Sequence, residues 1–552
     1  MRKIFDAHFH LLFKHYIAEG FDLLHQPVRM AGFAADLDDL LGGPFDSQSS
    51  PVQVGESQLH LGITSLISVE YAFAERILHV AGIDFSGLLP INKKIIEDTK
   101  AGRVTYLQGF KDQIKVYVDR AADLKAAYQI NFLNRDDWQH ETEILKKLAD
   151  GERYFALSIE GGHNLSDVPV RGPQMARNPE LRLREIQDRK DVDFISLNLC
   201  HLSDICEQRL GGFAHGVNKM GKIAFNSEDF LPKTPILGLS QLGKKVIVQA
   251  LTHATKPILI DVKHMSLYTR LHYYKFREQL FGQYPETKRL PILCSHTGFT
   301  FTTVSEYLEK KPFRSTVVTE DGRIISKIRP ENRRIGKTDD WANKKLFCNP
   351  WSINLFDEEI VEIMDSRGLI GFSLDQRILG AAKVILDGNR GPYYEEEYIA
   401  GPEWEKMFRD GQLPGAEEGF RDLFEGLESA REERHSMLLC LHLVHAVRVG
   451  YANLAWGDGT SPWNHLCIGS DFDGFINPIN GVDDVTQLDR LRAELRKYLP
   501  LADRYSLFLP EIKALKYRND GTVDPDFLTG AIEKFMFDNG HQFITRFLQN
   551  WE

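Results

Sequence analysis

Short apolar runs that each end in a histidine or a carboxylate recur along almost the whole chain, and no other feature restricts the fold as much. They are Lys3-Ile-Phe-Asp-Ala-His-Phe-His10, Phe155-Ala-Leu-Ser-Ile-Glu160, Pro257-Ile-Leu-Ile-Asp-Val-Lys-His264, Pro291-Ile-Leu-Cys-Ser-His296 and Leu466-Cys-Ile-Gly-Ser-Asp471. A near-continuous aliphatic run reads as a parallel strand buried on both faces. Polar chemistry at the carboxyl ends of such strands is how an eight-stranded α/β barrel builds an active site.

Three more apolar runs, Ile63 to Val69, Asp193 to His201 and Gly368 to Asp375, bring the strands to eight, at 3–10, 63–69, 155–160, 193–201, 257–264, 291–296, 368–375 and 466–471. Helical patterns lie between several of them, at Asp137 to Leu148, Leu239 to Ala254, Asp357 to Ser366 and His435 to Val449. The alternation predicts one (β/α)8 TIM barrel over 1–552, with enlarged βα loops after strands one, six and seven as inserts near 11–60, 297–356 and 376–435. Within the second insert, Asp321-Gly322 between β-branched runs reads as a hairpin turn. Glu395 to Glu397 and the stretch to Gly419 read as a solvated cover.

Composition excludes several classes of partner. With 67 basic and 78 acidic residues the net charge is −11, so a phosphate backbone or anionic membrane is repelled on average. Nucleic acid and membrane are not expected partners; a small-molecule substrate is, and a homodimer stays open. The six cysteines form no Cys-x-x-Cys pair and read as reduced and structural. No stretch approaches the roughly 18 apolar residues of a membrane span, and the first residues run straight into a strand, so the expectation is a cytoplasmic protein.

Taken alone, His8-Phe-His10 shows only that two imidazoles share a strand face. The coincidence of four strand-ending histidines, His8, His10, His264 and His296, with the carboxylates Glu160 and Asp471 points to metal. Such a set suits two zinc-like divalent ions about 3.5–4 Å apart. Two glycines after Glu160 let the backbone turn sharply there. Asp473, directly before Gly474, reads as a turn residue, and the Asp-x-Asp-Gly stretch lacks the remaining ligands of an EF-hand. Asp6, inward and below His8, is a candidate acceptor for orienting that ligand. His442 and His445, three apart in an apolar helix, read as core residues rather than a second metal site.

Glu160-Gly-Gly-His163, Leu199-Cys-His201, Asp261-Val-Lys-His-Met-Ser266, Ser295-His296 and Ile468-Gly-Ser-Asp-Phe-Asp-Gly474 resemble, in order, the motifs of the membrane (renal) dipeptidases of the amidohydrolase superfamily. The resemblance covers nearly the full chain. It implies a metal-dependent hydrolase that cleaves a peptide or amide bond, in a dipeptide or N-acyl compound, by attack of a hydroxide bridging two zinc ions. It further implies His8, His10 and Glu160 on one metal and Glu160, His264 and His296 on the other, with Asp471 facing the metal-bound water and His201 the substrate carbonyl.

Two positions depart from the family pattern. The first strand carries His8-Phe-His10 where the family has His-x-Asp, which leaves the site one unit more positive and lowers the expected water pKa. Ile353, in Ser352-Ile-Asn354, stands where the family's substrate-carboxylate arginine is expected, with Arg314, Arg333, Arg334 and Arg377 as candidate replacements. The same metal centre supports lactone hydrolysis or deamination, and a barrel that only binds its ligand is the alternative of another class.

Overall fold

The computed structural model describes residues 2–551 except 33–34, 36–44, 77–78, 81–82, 85–90, 136–145, 149, 170–176, 203–209, 218–236, 310–312, 319–323, 330–332, 337–345, 349, 381–395, 401–402 and 404–427. Eight parallel strands form its centre: β1 (Ile4–Phe9), β2 (Leu59–Leu66), β3 (Arg153–Glu160), β4 (Phe194–Asn198), β5 (Leu259–Asp261), β6 (Leu293–Thr297), β7 (Leu369–Phe372) and β8 (Leu466–Ile468). Each pairs with its neighbour in chain order, and β8 returns to β1 with Asp6 opposite Ile468. With helices between the strands, the expected (β/α)8 barrel is closed. A short extra strand, Ile130–Phe132, pairs in parallel with the start of β3, Arg153 to Phe155.

The alternation within β1 shows how sequence places the site. Phe5, Ala7 and Phe9 turn outward, where Phe9 meets the Phe155 ring at 5.1 Å and Phe5 packs so closely on the helix Asn539–Leu548 that a Cβ on Gly540 would lie 2.0 Å from its ring. Asp6, His8 and His10 therefore turn inward. Crowding continues around the barrel: a Cβ on Gly371 or on Gly469 would come within 1.9 Å of the Ser295 carbonyl oxygen. Strands β6, β7 and the end of β8 can approach this closely only because both residues are glycine.

The expected helices at 239–254, 357–366 and 435–449 correspond to Gln241–Thr252, Asp357–Asp365 and Glu428–Asn453. Most of the 137–148 pattern lies outside the described residues. The connection from β2 to β3, residues 67–152, is a further long one that carries the helices Tyr71–Arg76, Lys93–Lys100 and Tyr106–Tyr128. Loops after β4, β6 and β7 combine into a four-stranded antiparallel sheet of Phe313–Val318, Ile324–Arg329, Glu396–Ala400 and His215–Val217. The first two strands form the expected hairpin arms, with Val318 opposite Ile324, while the Asp321-Gly322 turn lies outside the described residues.

One expectation about this region is corrected. Glu397 is not solvated: it is fully buried and accepts from the backbone amides of Ser352 and Ile353, each at 3.0 Å, and from Ser352 Oγ at 2.6 Å. Three donors in one turn replace the water that a carboxylate would otherwise need. The core reading of His442 holds, since it accepts from the Phe299 amide and faces the Leu379 carbonyl, and His445 pairs with Asp357 at 2.7 Å. The five described cysteines are buried. Trp463 and Trp456 donate to backbone carbonyls, and Trp351 is buried. No described helix is long and apolar enough to cross a membrane.

Candidate metal centre

Six of the eight barrel strands deliver a candidate ligand or catalytic side chain to the same mouth. His8 and His10 come from β1, Glu160 is the last residue of β3, and His201, His264 and Asp471 follow β4, β5 and β8, while His296 lies within β6. Glu160 sits at their centre. One oxygen lies 3.4 Å from His8 Nε2, 3.5 Å from His264 Nε2 and 3.6 Å from His201 Nε2; the other lies 3.0 Å from His10 Nε2. His264 Nε2 and His296 Nε2 are 3.1 Å apart, and Asp471 Oδ1 is 3.5 Å from His8 Nε2 and 3.9 Å from His10 Nε2. Two groups of potential ligand atoms emerge, His8, Glu160, His296 and Asp471 in one and Glu160, His201 and His264 in the other, and Glu160 belongs to both.

The backbone is bent to make this possible. Gly161 has φ +93°, and a Cβ there would lie 2.3 Å from His163 Nδ1 and 3.0 Å from His201 Cβ. His264 and Asp471 also adopt the left-handed conformation, at φ 68° and 64°. Strain of this kind in residues other than glycine persists only where surrounding contacts enforce it, and it collects at functional sites.

Hydrogen bonds on the far side of the rings decide which nitrogen faces inward. His8 Nδ1 pairs with Ser65 Oγ at 3.0 Å, which in turn meets Ser158 Oγ at 2.6 Å, and His296 Nδ1 pairs with Ser295 Oγ at 2.9 Å. Both rings thus turn Nε2 toward the centre, and His8 Nε2 is buried with no hydrogen-bond partner among the described residues. Asp6 reaches His8 at its backbone amide, 3.1 Å, and binds Ser470 with both oxygens, so the His8 ring takes its orientation from Ser65. Asp473 has the left-handed φ of 65° that suits a turn residue before Gly474, but its carboxylate accepts from the Gln48 and Ser49 amides of a distant segment and pairs with buried Lys14 at 3.0 Å.

Electrostatics sort the groups. Burial pushes His264 down to about 3 and holds His8 and His296 below the usual histidine range, so these rings are neutral, the form that ligates metal. Burial opposes ionisation of Glu160, but His8 and His10 prevail and keep its carboxyl well below the usual range. Asp471 is pushed up to about 8, first by burial and then by Glu160. Burial works against charge on His201, but Glu70, followed by Glu160 and Asp471, outweighs it and raises the ring to about 9. Burial works against charge on His10 as well, but Glu160 outweighs it and raises the ring above the usual range. Neutral His8, His264 and His296 beside an ionised Glu160, with the buried Nε2 of His8 left unsatisfied, fit divalent metal, and His10 would give up its proton on ligating it.

A pH dependence follows for the metal-free protein. Between pH 7 and 8 folded Asp471 and His201 retain protons that the unfolded chain, with ordinary values of 3.8 and 6.5, has released. The native state binds more protons there, so stability falls as pH rises. Calorimetry of chelator-treated protein is expected to show a lower melting temperature at pH 8 than at pH 7; a higher one contradicts these two assignments.

Glu70 is the residue that reading the sequence missed. It follows β2 and repeats the grammar of an apolar run ended by a carboxylate, but the run assigned there stopped at Val69. Its Oε2 lies 3.0 Å from His201 Nδ1 and its Oε1 accepts from the Leu202 amide at 3.1 Å. Of the four arginines considered in place of Ile353, Arg333 pairs with Glu306 and lies over the Phe508 ring, and Arg377 grips Asp375. The side chains of Arg314 and Arg334 lie outside the described residues.

No protein-family model and no curated protein sequence matches this chain. Among solved structures it is similar to a dipeptidase described as a metallopeptidase of family M19, at 14% identity and a TM-score of 0.46, over 99% of this chain and 98% of that one. It is also similar to a metallopeptidase from Rhodobacter sphaeroides bound to a phosphinate mimic of the dipeptide L-Ala-D-Ala, at 14% identity and a TM-score of 0.44, over 99% of both chains. Likeness at this level leaves function to be read from the side chains themselves.

Proposed function

We propose that this chain is a metal-dependent hydrolase of the membrane-dipeptidase kind, which cuts an amide or peptide bond in a small substrate. The observation that carries the reading is Glu160: four imidazoles stand within 3.0–3.6 Å of its two oxygens, and it is shared by both ligand groups. His8, His10 and Glu160 would hold one divalent ion and Glu160, His264 and His296 the other, a division that the 3.0 Å from His10 to Glu160 and the 3.1 Å between His264 and His296 support and that differs from the two compact groups, in which His296 stands with His8 and Asp471 and His201 with His264; nitrogen and oxygen donors of this kind suit zinc. When bound, such ions polarise the scissile carbonyl and lower the pKa of water from 15.7 toward about 7.

The chain's own groups supply positioning and proton transfer. Asp471, whose side chain is 16% exposed against 3% for Glu160, faces the open side of the centre and is the proton acceptor. Ionised beside bound cations, it takes a proton from the attacking water and returns it to the leaving nitrogen. Ser65 and Ser295 hold the His8 and His296 rings, so little reorganisation is needed when ligands engage.

Substrate recognition differs from that of a free-dipeptide enzyme with an arginine at position 353. Here the Ile353 amide donates to the chain's own Glu397, and the described candidate arginines are engaged elsewhere. We therefore place N-acyl amino acids and other amides beside dipeptides in the substrate class. The test is a panel of dipeptides with L- and D-configured C-terminal residues, N-acyl amino acids and lactones, offered to metal-loaded and chelator-treated protein. Metal-dependent amide cleavage is the expected result, and turnover of lactones without any amide would overturn the reading.

A further inference from the structure

We propose that Glu70 is a positioning residue for His201, fixing that imidazole with a proton on Nδ1 and with Nε2 presented to the centre. The role assigned to Nε2 rests on the hydrolase reading; the orientation does not.

His201 is more exposed than the other histidines around Glu160. Its side chain is 14% exposed, it lies beyond the end of β4, and rotation about its outer torsion exchanges ring nitrogens for carbons. Glu70 removes that freedom. Its carboxylate is 5% exposed and binds two successive residues of one turn, the Leu202 amide through Oε1 at 3.1 Å and His201 Nδ1 through Oε2 at 3.0 Å. The backbone contact holds the carboxylate still while the second oxygen selects the ring nitrogen that carries hydrogen. A carboxylate only accepts, so Nδ1 must donate. A flipped ring would set a carbon against a buried carboxylate oxygen, forfeiting a charge-assisted hydrogen bond.

His163, the other described histidine beside Glu70, does not compete for the same contact. His163 Nδ1 stands 3.9 Å from Glu70 Oε1, beyond hydrogen-bond distance, and its Nε2 faces the Ser68 carbonyl. On the inner side, His201 Nε2 lies 3.6 Å from Glu160, and the His201 and His264 ring centres are 4.3 Å apart. Gly161 leaves room for this placement, since its Cβ would lie 3.0 Å from that of His201. The arrangement is that of an outer carboxylate orienting an inner imidazole, whose removal elsewhere lowers activity or metal affinity by about 10–100-fold.

Glu70→Gln tests the assignment with little change of shape. If the amide oxygen keeps the Leu202 contact, its NH2 group faces His201 Nδ1 and favours the opposite tautomer. Imidazole nitrogen NMR on the full chain labelled in histidine, with the His201 signals identified by their loss in His201→Gln, reads this directly. The expected result is a protonated, exchange-protected Nδ1 in the native protein that is lost in Glu70→Gln, together with a fall in kcat of about 10–100-fold at near-constant KM and unchanged metal content. A bare Nδ1 in the native protein, or a protected Nδ1 proton that survives Glu70→Gln, overturns it. The native spectrum decides the matter even if the variant does not fold. A native chain that binds no metal and cleaves no amide defeats the hydrolase reading, and the NMR outcome still judges the orientation.

Discussion

Glu160→Ala is expected to lose both metal ions and, with them, at least about 10³-fold of the hydrolytic rate, the equivalent of several kcal/mol of transition-state stabilisation. The size follows from position. No other described carboxylate belongs to both candidate ligand groups, and its two oxygens stand within 3.6 Å of His8, His10, His201 and His264. Loss of Asp6 or Asp473 would disturb backbone contacts around the mouth, whereas loss of Glu160 would remove the carboxylate common to both groups. Neutral Glu160→Gln keeps the shape but not the charge, so it is expected to bind metal poorly as well. Elemental analysis and rate measurement on both variants check this. An alanine variant that keeps two ions per chain would show that the imidazoles alone form the centre.

Asp471→Asn has the second largest expected effect, a fall in kcat of about 10²–10⁴-fold with metal content and KM close to native, because an amide can neither take nor return the proton. The substitution is unusually clean for the backbone. Asp471 has φ 64°, and asparagine tolerates the left-handed region as readily as aspartate. Its side chain also lies over Gly474, where a Cβ would meet Oδ1 at 2.2 Å, so an isosteric amide fits the same space. Full activity in Asp471→Asn would exclude it as the proton acceptor. Loss of metal instead of turnover would make it a ligand, consistent with its 3.5 Å distance from His8 Nε2.

The barrel and the residues of its mouth were legible because both depend on local pattern. An aliphatic run followed by His8, Glu160, His264, His296 or Asp471 announces a strand and places its last side chain at the carboxyl end. Closure then brings these ends together without further information from the sequence. What was hidden depends on contacts between distant segments. Glu397 reads as solvated because it neighbours other acids, and only the docking of its strand beside Ser352 and Ile353 supplies the donors that bury it. Asp6 shares a face with His8 as the alternation requires, yet its carboxylate turns to Ser470 across the β1–β8 seam, and Ser65 from β2 holds the ring. Glu70 escaped because a single residue after an assigned strand end carries no signal of its partner, which lies beyond β4. The sheet contributed by three separate loops has no local signature beyond its hairpin.

Diffraction from crystals soaked in zinc, recorded at the metal's absorption edge, tests most directly whether these side chains form a two-metal centre. Two anomalous peaks are expected, both within ligating distance of Glu160, one beside His8 and His10 and the other beside His264 and His296. No peak at the barrel mouth, or a single peak that Glu160 does not touch, would contradict the assignment.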